Sequence, residues 1–516
     1  MMIVQGNEVK HDISETVDVA VVGSGCGGAT VAKELAAAGL SVAMVEQGGY
    51  YSARHGDFDQ REDDMLIRLD GGRGFTTTSN GQITLQYGNC VGGASVHYWA
   101  DSWRTPRDRC ERFAGLGVEG HSHEELAPYF DRIEHDLNIH PATPDLYNTM
   151  NLTFDQGARR LGWEVEPVHQ ARRGCMRSGY CMQGCAYNAK QSQLVTHIPA
   201  ALAGGAKLFA DCRVEHILTA GGQATGLSAV FLDRRRNRPG PYRLHLRSKV
   251  VVLAAGGFNS AVILLRNRLG GPAVGKQLFG NPCPMLFALY DKDIVMWRNI
   301  PAATGTMRFR LQRMDGRRYL EGGYLLHPNQ LQPALLAAVL PGLGLEHRAL
   351  MEQAPRIGSC IAWIDDENPG RITLDRQHRP RYHYEIRGLD ELKIRDAFKK
   401  QALLLLASGA KEVIVPDRLG TRVKDEKQIA ALDRVDIRAG SMMFAAPHPA
   451  GAARMGRDPL FSVIDSNHEC HHLKRLFVCD GSAFPGPLSV DPSLTIMAWS
   501  YVAANYIKTN WDRYKA

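Results

Sequence analysis

Three cysteines lie close together in the stretch GCMRSGYCMQGCAYNAKQS, residues 174–192. Their spacing, C-x5-C-x3-C, puts Cys175, Cys181 and Cys185 on one short glycine-containing loop. Three thiolates on such a loop can hold iron. Two of them could instead form a disulfide, or all three could remain free thiols. The chain has 11 cysteines in 516 residues and no sign of an oxidising compartment, which argues against the disulfide.

A glycine-rich turn near the N-terminus has the pattern G-x-G-x-x-G, with Gly23, Gly25 and Gly28 at its fixed positions. The first glycine allows a tight turn, the second lets backbone approach a pyrophosphate, and the third lets a helix pack on a strand. Cys26 lies where that helix begins, and the amides of a helix N-terminus can bind phosphate. Glu46 follows further along and can bind an adenosine ribose.

The elements that position this turn can also be recognised in the sequence. Residues 17–22 are a short apolar run, typical of a parallel strand buried on both faces. A helical pattern then runs to Ala38, Gly39 ends it, and residues 41–45 form a second apolar strand that leads into Glu46. The complete strand–helix–strand–acid unit predicts an α/β dinucleotide-binding domain. By itself it does not separate FAD from NAD.

Length and charge limit the remaining possibilities. A chain of 516 residues exceeds one ordinary hydrophobic core and predicts two domains. The formal net charge is +7, but the basic stretch DRRRNRP at residues 233–239 resembles a solvated hairpin tip. We therefore expect no binding of nucleic acid.

No signal peptide and no transmembrane segment are expected, because charges break the N-terminal stretch and nowhere do 18 apolar residues run together. The most apolar segment, residues 331–347, is interrupted by Pro341 and Gly342. It is interpreted as a pocket-lining helix, or as a lid over a lipophilic channel or at a membrane surface. The predicted location is cytoplasmic, with room for peripheral contact with a membrane.

Three later stretches resemble the glucose–methanol–choline (GMC) oxidoreductase family, which uses FAD. They are YGNCVGGASVHYWADSWRTP at residues 87–106, SKVVVLAAGGFNSAVILLRN at 248–267, and HPAGAARMG at 448–456, which leads into the apolar stretch at 476–507. The region from about 285 to 440 matches poorly and corresponds to the family's variable substrate part.

The resemblance implies an α/β fold with two domains interleaved in sequence. One is a Rossmann-like FAD-binding domain, and the other is an α+β substrate-binding domain built on an antiparallel sheet with helices. The boundaries expected for the FAD-binding domain are 16–110, 186–282 and 441–516, and those for the substrate-binding domain are 111–185 and 283–440.

Several residues are expected to bind FAD on the strength of this resemblance. Gly92 and Gly93 resemble backbone that lies over the flavin, and His97 is the residue that some members link covalently to FAD while others leave it free. Asp480 corresponds to an acid that binds the ribityl or phosphate region, although it could simply cap a turn. Further cofactor contacts are expected at Val91, Val214, Ala255 and Gly481.

His448 is the expected catalytic base, since it opens the motif in which the family carries that histidine. The second catalytic position usually holds Asn or His, but here it holds Asp491. An ionised Asp491 would repel a developing alkoxide, a protonated one could donate a hydrogen bond to it, and a third possibility is a helix N-cap alone. Pro492 is expected at the first helical position, close to the flavin.

The resemblance therefore implies FAD-dependent oxidation of an alcohol to an aldehyde or ketone, with a bulky or lipophilic substrate and with oxygen, a quinone or a redox protein as acceptor. GCAYNAKQS and DSWRTPRD are closest to long-chain-alcohol oxidases. GGASVH and the cysteine spacing are closer to bacterial sugar dehydrogenases and pyranose oxidases, some of which pass electrons through a 3Fe–4S cluster to a cytochrome. We expect no metal on the cysteine loop. A non-catalytic binding protein is the alternative of another class.

Overall fold

The computed structural model describes residues 3–72, 76–236 and 238–515. Its largest sheet has eight strands, and the strand Arg238–Leu253 at its centre pairs in parallel with both Ile13–Val22 and Leu476–Val478. Along the main path of the sheet, the order of strands is Ile3–Gln5, Lys207–Ala210, Val42–Val45, Ile13–Val22, Arg238–Leu253, Gln223–Asp233 and Cys212–Ala220.

The centre of the parallel part of this sheet is buried. Val19, Ala20 and Val21 have no solvent exposure, as expected for a strand covered on both faces. The helix Cys26–Ala37 covers one face and packs against the long helix Ser493–Thr509 near the C-terminus. The predicted α/β unit is therefore confirmed. Asn237, in the predicted hairpin tip, lies outside the described residues.

Smaller sheets come mostly from the middle of the chain and are antiparallel, except for the parallel pair Phe444–Ala446 with Ile83–Leu85. The five-stranded sheet has the order Tyr324–Pro328, Ile357–Ile364, Met285–Leu289, Glu412–Ile414 and Arg422–Val423. The four-stranded sheet has the order Pro380–His383, Gly370–Leu374, Lys276–Phe279 and Ala450–Gly451. Two-stranded pairs join Thr304–Gly305 to Glu166–Pro167, Arg313–Asp315 to Arg318–Glu321, Phe444–Ala446 to Ile83–Leu85, and Ile139–Pro141 to His169–Ala171.

Helices cover these sheets. The longest, Leu389–Ala407, packs on the five-stranded sheet and buries Ile394, Phe398 and Leu405 completely. The other α-helices of the described residues are Glu62–Leu69, Arg107–Gly115, His123–Asp136, Thr149–Arg160, His197–Ala203, Asn259–Asn267, Pro333–Val339, Gly344–Met351 and Trp511–Lys515.

The apolar segment at 331–347 forms two short helices that part at Pro341 and Gly342. Within the described ranges, no helix combines the length and the apolar character that crossing a membrane requires. The strands of the large sheet come from residues 3–22, 42–45, 207–253 and 476–478. The division into two interleaved domains stays a prediction.

A buried pair of histidines fixes the long helix Ser493–Thr509 against the rest of the fold. Nε2 of His121 lies 3.3 Å from Nε2 of His468, and both rings pack on Trp499. Burial lowers the pKa of His121 to about 4, and burial together with the neighbouring His121 lowers the pKa of His468 to about 3. Both rings are therefore neutral in the folded protein.

We expect this pair to make the fold sensitive to acid. In the unfolded chain each histidine binds a proton below pH 6.5, whereas the folded chain resists protonation down to about pH 4. The stability that the neutral pair contributes is therefore complete above pH 6.5 and is lost as the pH falls toward 4. Between pH 7 and 5, the free energy of unfolding should fall by about 2 kcal/mol for each histidine. Urea unfolding of the wild type at both pH values measures the difference.

The matched variant replaces both residues by glutamine, His121→Gln with His468→Gln. It should be less stable at pH 7 but should lose less stability at pH 5 than the wild type does. An equal loss in the variant and the wild type would show that the pair does not cause the pH dependence.

Candidate active site

A cavity of about 900 Å³ extends from the glycine-rich turn at Gly23 and Gly25 to His448 and Asp491. Its size lies within the range of small-molecule and cofactor sites. Residues from the large sheet and from the antiparallel sheets both line it. The cavity therefore connects the predicted cofactor turn to the predicted catalytic residues.

Close backbone contacts explain the glycines around this turn. Gly23 has φ +98°, and a Cβ atom there would lie 2.2 Å from the carbonyl oxygen of Ala254. A Cβ on Gly27 would lie only 1.6 Å from the carbonyl oxygen of Cys479. The helix N-cap, Gly25, provides no side-chain cap, so the first amides of the helix are open to an anionic group. Gly93 closes over the turn, because a Cβ there would lie 2.8 Å from Cα of Gly25.

Glu46 is buried at the end of the second strand. Its Oε2 accepts hydrogen bonds from the backbone and the hydroxyl of Ser24, at 3.0 and 2.8 Å, and its Oε1 accepts one from the amide of Gly48 at 2.8 Å. Burial raises the pKa of Glu46, and these hydrogen bonds oppose that effect. A carboxylate can accept about four hydrogen bonds, so one position remains for a ribose hydroxyl.

Asp480 links three turns at the floor of the cavity. Its Oδ2 accepts hydrogen bonds from the amide of Gly256 at 3.0 Å and the hydroxyl of Ser260 at 2.5 Å. Its Oδ1 accepts from the amide of Ser482 at 2.9 Å, which caps the short turn that follows. Asp480 therefore does cap a turn, and it also lines the cavity, as a cofactor contact must.

Most of the predicted cofactor residues line this one cavity. They are Gly23, Gly25, Cys26, Glu46, Gly93, His97, Val214, Ala255, Asp480, Gly481 and Pro492. Three others lie behind its wall. Gly28 lets the helix pack closely on the turn, since a Cβ there would lie 2.1 Å from the carbonyl oxygen of Gly23. Val91 and Gly92 are buried in the loop before Gly93.

His97 lies against the cavity with its Nε2 shielded from solvent and without a hydrogen-bond partner. Burial lowers its pKa to about 4, so the ring is neutral at pH 7. These features fit FAD at the site: an open helix N-terminus for a pyrophosphate, a carboxylate for a ribose, and an orphaned imidazole where the flavin would lie.

His448 is held at both ring nitrogens. Its Nδ1 lies 3.0 Å from Oδ1 of Asn281, whose Nδ2 donates to the carbonyl oxygen of Ile364 at 2.7 Å. Asn281 therefore presents its oxygen to the histidine, and Nδ1 of His448 must carry a hydrogen. The other nitrogen, Nε2, lies 3.2 Å from Oδ1 of Asp491. With its hydrogen on Nδ1, a neutral His448 has its lone pair at Nε2, as a base requires, and Nε2 donates to Oδ1 of Asp491 once it has gained a proton.

Asp491 does not cap the last long helix, which excludes the possibility that it is a helix N-cap. Pro492 was expected to be the first helical residue, but the helix begins at Ser493 and Pro492 is its N-cap. The carboxyl group of Asp491 turns to His448 instead. Burial alone would raise the pKa of Asp491, but when His448 carries a proton its charge and hydrogen bond outweigh burial and lower that pKa.

Aromatic side chains surround the catalytic end. The ring of Trp363 lies 5.1 Å from that of His448, and its Nε1 lies 3.4 Å from Nδ1 of His327. Asn281, His327 and Trp363 were missed in the sequence, because they lie in segments that carry no motif and join the site only through the fold. Asp101 was missed although it lies inside the motif at 87–106, because nothing in that motif assigns it a role.

Apolar side chains line one part of the cavity, and we call this part its apolar branch. The exposed side chains of Ile67 and Met443 belong to it. The other apolar residues of this branch are Leu66, Met182, Met285, Leu331, Leu335, Val339, Ile361, Met442 and Phe444. The helix Pro333–Val339, predicted to line a pocket, does so.

The three-cysteine loop lies beside the cavity, and Met182 from it contributes to the wall. The buried Lys190 holds it there by donating to the carbonyl oxygens of Val96 at 2.6 Å, Tyr98 at 3.0 Å and Cys181. Burial lowers the pKa of this lysine to about 8. The loop is thus tied to the backbone that follows Gly93.

The thiols of the loop have different neighbours. Sγ of Cys181 accepts a hydrogen bond from Nη1 of Arg172 at 3.4 Å, and Sγ of Cys185 accepts one from the backbone amide of Lys190 at 3.5 Å. Cys175 packs on a small apolar cluster. All three are free cysteines. In the part of the chain that the structure describes, no group of three or more His, Cys, Asp or Glu side chains is placed to hold a metal ion.

Comparison with known proteins identifies relatives over nearly the whole chain. Two family models described as GMC oxidoreductase match residues 43–283 and 366–500. An uncharacterized GMC-type oxidoreductase of Mycobacterium tuberculosis is 30% identical over 95% of this chain and 75% of the relative. A long-chain-alcohol oxidase of Arabidopsis thaliana is 25% identical over 95% of this chain and 66% of its own.

Solved structures share the fold at lower identity. Pyridoxine 4-oxidase from Mesorbium loti has a TM-score of 0.71 at 16% identity, covering 95% of this chain and 98% of its own. A formate oxidase structure has a TM-score of 0.70 at 14% identity, covering 98% of this chain and all of its own. These similarities support the fold and not the substrate.

Glu46 gives a direct test of the cofactor end. Replacing it by alanine removes the acceptor for the ribose and leaves the amide of Gly48 without its partner, so Glu46→Ala should retain less FAD after gel filtration than the wild type. Flavin absorbance per protein chain measures the retention. Asp155→Asn, a change to a carboxyl outside the cavity, is the control. Equal retention in Glu46→Ala and the wild type would contradict the assignment.

Proposed function

Because this chain belongs to the GMC oxidoreductase family and is an FAD-dependent oxidoreductase acting on CH–OH donors, we propose that it oxidises a bulky or lipophilic alcohol to an aldehyde or ketone. The observation that carries the proposal is that apolar side chains line much of the cavity that also contains His448. A relative named as a long-chain-alcohol oxidase agrees with such a substrate.

The chemistry of the branch sets the substrate class. Side chains of leucine, isoleucine, valine and methionine gain about 25 cal/mol for each Å² of apolar surface that they remove from water. Methionines at 182, 285, 442 and 443 are flexible and fill irregular space, so the branch can adapt to alkyl chains of different shape. A sugar would place its hydroxyls against this wall without hydrogen-bond partners, which costs free energy.

His448 is proposed as the base that takes the hydroxyl proton of the alcohol. FAD, when bound, supplies the acceptor for the hydride from the carbinol carbon. The hydrogen bond from Nδ1 to Asn281 keeps the lone pair at Nε2. The proton of the substrate is therefore received at Nε2, beside Oδ1 of Asp491.

Asp491 is proposed as the second catalytic residue, where relatives of this family usually carry Asn or His. Its ionised carboxyl lies 3.2 Å from Nε2 and stabilises the imidazolium that forms when His448 gains a proton. Trp363 packs beside the histidine, with their ring centroids 5.1 Å apart. The proton taken from the substrate thus stays on His448, where the negative charge of Asp491 stabilises it.

Two further assignments complete the proposal. The FAD-binding part is formed by residues 16–110, 186–282 and 441–516, and the apolar branch belongs mainly to the substrate-binding part at 283–440. Relatives and neighbours named as oxidases favour oxygen as the electron acceptor.

A membrane surface is the proposed source of the lipophilic substrate. Leu343, in the connection between the two short helices, and Leu345, in the first turn of the second helix, are 89% and 83% exposed, and Leu419 is 86% exposed. Gly420 lies against Pro341, since a Cβ there would be 3.5 Å from the proline ring, so Leu419 lies near the connection that carries Leu343. The exposed Arg418 stands next to them and complements anionic lipid. The first of the two helices lines the apolar branch.

The role of His448 is tested by His448→Ala. Loss of a positioned base typically slows proton transfer by about 10²–10⁴-fold, so anaerobic flavin reduction by a long-chain alcohol should slow by that factor while FAD stays bound. Stopped-flow absorbance measures the rate. The exposed His135→Ala is the control and should reduce at the wild-type rate. A His448→Ala enzyme that keeps the wild-type rate would exclude His448 as the base.

Membrane contact is tested by replacing both exposed leucines, Leu343→Ser with Leu345→Ser. Sedimentation with vesicles of phosphatidylcholine and phosphatidylglycerol should pull down the wild type and about tenfold less of the variant, because two apolar anchors are lost. Leu311→Ser removes an exposed leucine elsewhere and should bind like the wild type. Absence of wild-type binding, or equal binding of the double variant, would contradict the proposal.

A further inference from the structure

Two carboxyl groups at the catalytic end each have one oxygen without a hydrogen-bond donor. Asp101 is 2% exposed, its Oδ1 accepts from Nε2 of Gln170 at 2.7 Å, and its Oδ2 has no partner. Asp491 is 8% exposed, its Oδ1 faces His448, and its Oδ2 also has no partner. Both free oxygens are shielded from solvent, so water does not satisfy them.

The two residues are neighbours at the catalytic end of the cavity, close enough for the charge of Asp491 to act on Asp101. The backbone carbonyl of Asp101 accepts a hydrogen bond at 3.3 Å from Oγ of Ser493, two residues beyond Asp491. Both residues line the same end of the cavity. Two ionised carboxylates buried together would repel each other, and neither free oxygen would have a donor.

The remaining titratable groups near this pair do not supply the missing donor. Arg172 lies behind Gln170 and uses its nitrogens on Gln170, on the carbonyl oxygen of Trp99 and on Cys181. His448 is already paired with the other oxygen of Asp491. The other electrostatic neighbours are His327 and Cys283 beside Asp491, and Tyr98 and Cys181 beside Asp101. None of these four forms a hydrogen bond with the free oxygens.

We propose that Asp101 is a positioning residue that keeps its carboxyl proton at pH 7 and donates it from Oδ2 to Oδ2 of Asp491, so that the two groups together carry one negative charge. The hydrogen bond from Gln170 to Oδ1 leaves Oδ2 as the oxygen that carries the hydrogen. A single proton then satisfies both free oxygens. The catalytic consequence of this pairing rests on the function proposed above, whereas the protonation itself does not.

The electrostatics agree with this location of the proton. Burial, followed by the charge of Asp491, raises the pKa of Asp101 well above its usual value. The pKa of Asp491 is lowered instead, because the neighbouring His448 outweighs burial. The proton of the pair therefore belongs to Asp101, and the charge belongs to Asp491.

This arrangement gives Asp101 a defined task. It fixes the carboxyl group of Asp491 from behind, so that Oδ1 stays directed at Nε2 of His448. It also limits the negative charge beside the substrate oxygen to one unit, which lessens repulsion of a developing alkoxide. A carboxylate at the position where relatives carry Asn or His is compatible with the reaction, because the protonated Asp101 donates a hydrogen bond to it and the pair carries only one negative charge.

The pH profile of anaerobic flavin reduction tests the pairing with two variants. Asp101→Asn still offers a donor to Asp491 but has no proton to lose, so the pH at which the rate rises should match that of the wild type, whatever the absolute rate. Asp101→Ala leaves Oδ2 of Asp491 without a donor, which disfavours the ionised form of Asp491 and raises its pKa. The pH at which the rate of flavin reduction rises should therefore increase by about one unit. Asp396→Asn, a buried carboxyl outside the cavity, is the control and should leave the profile in place.

An ionised Asp101 predicts the opposite behaviour. Asp101→Asn would then remove a negative charge from beside Asp491 and His448, and the rise would move to lower pH. That result, or an unmoved profile in Asp101→Ala, would overturn the proposal.

Infrared spectroscopy tests the proton without any turnover. The wild type at pH 8 should show the carbonyl stretch of a protonated carboxylic acid that is missing from Asp101→Asn and present in Asp396→Asn. Identical bands in the wild type and Asp101→Asn would refute the protonation. If no alcohol reduces the flavin, the proposed function fails, and the infrared result still decides whether Asp101 carries the proton.

Discussion

The imidazole of His448 is held at both nitrogens, by Asn281 at Nδ1 and by Asp491 at Nε2. The first contact fixes the tautomer, because the amide of Asn281 is itself oriented by its bond to a backbone carbonyl. The second places a charge beside the atom that must gain a proton. Without these two contacts, neither the tautomer nor the orientation of the histidine would be fixed, and the cavity would hold no positioned base.

Three distant parts of the chain must meet for these two contacts to form. Asn281 follows the strand Lys276–Phe279, and that strand pairs with Ala450–Gly451 just after His448. Asp491 lies before the helix Ser493–Thr509, which packs against the helix that begins at the glycine turn. The same helix packing therefore positions the cofactor turn and the catalytic carboxyl together, so the two ends of the cavity are not independent.

The cofactor end could be predicted from the sequence because its signals are local. The turn at Gly23, the acid at Glu46 and the strands around them occur within one short stretch, and backbone geometry alone requires glycine there. The catalytic end could be predicted only in part. His448 lies in a recognisable motif, whereas Asn281 and His327 reach the site through pairings of strands that no periodicity reveals. Asp101 also lies in a motif, but its position near Asp491 depends on the fold. One possibility for Asp491, a helix cap, was wrong because its carboxyl group makes a long-range contact with His448 instead.

The central claim is that an apolar channel delivers an alcohol to a base beside FAD. It is tested most directly by anaerobic reduction of the bound flavin with primary alcohols of increasing chain length, compared with glucose and other sugars. The account predicts that the apparent second-order rate constant rises with chain length until the branch is filled, and that sugars leave the flavin oxidised. Faster reduction by sugars than by long-chain alcohols, or no reduction by any alcohol, would contradict it.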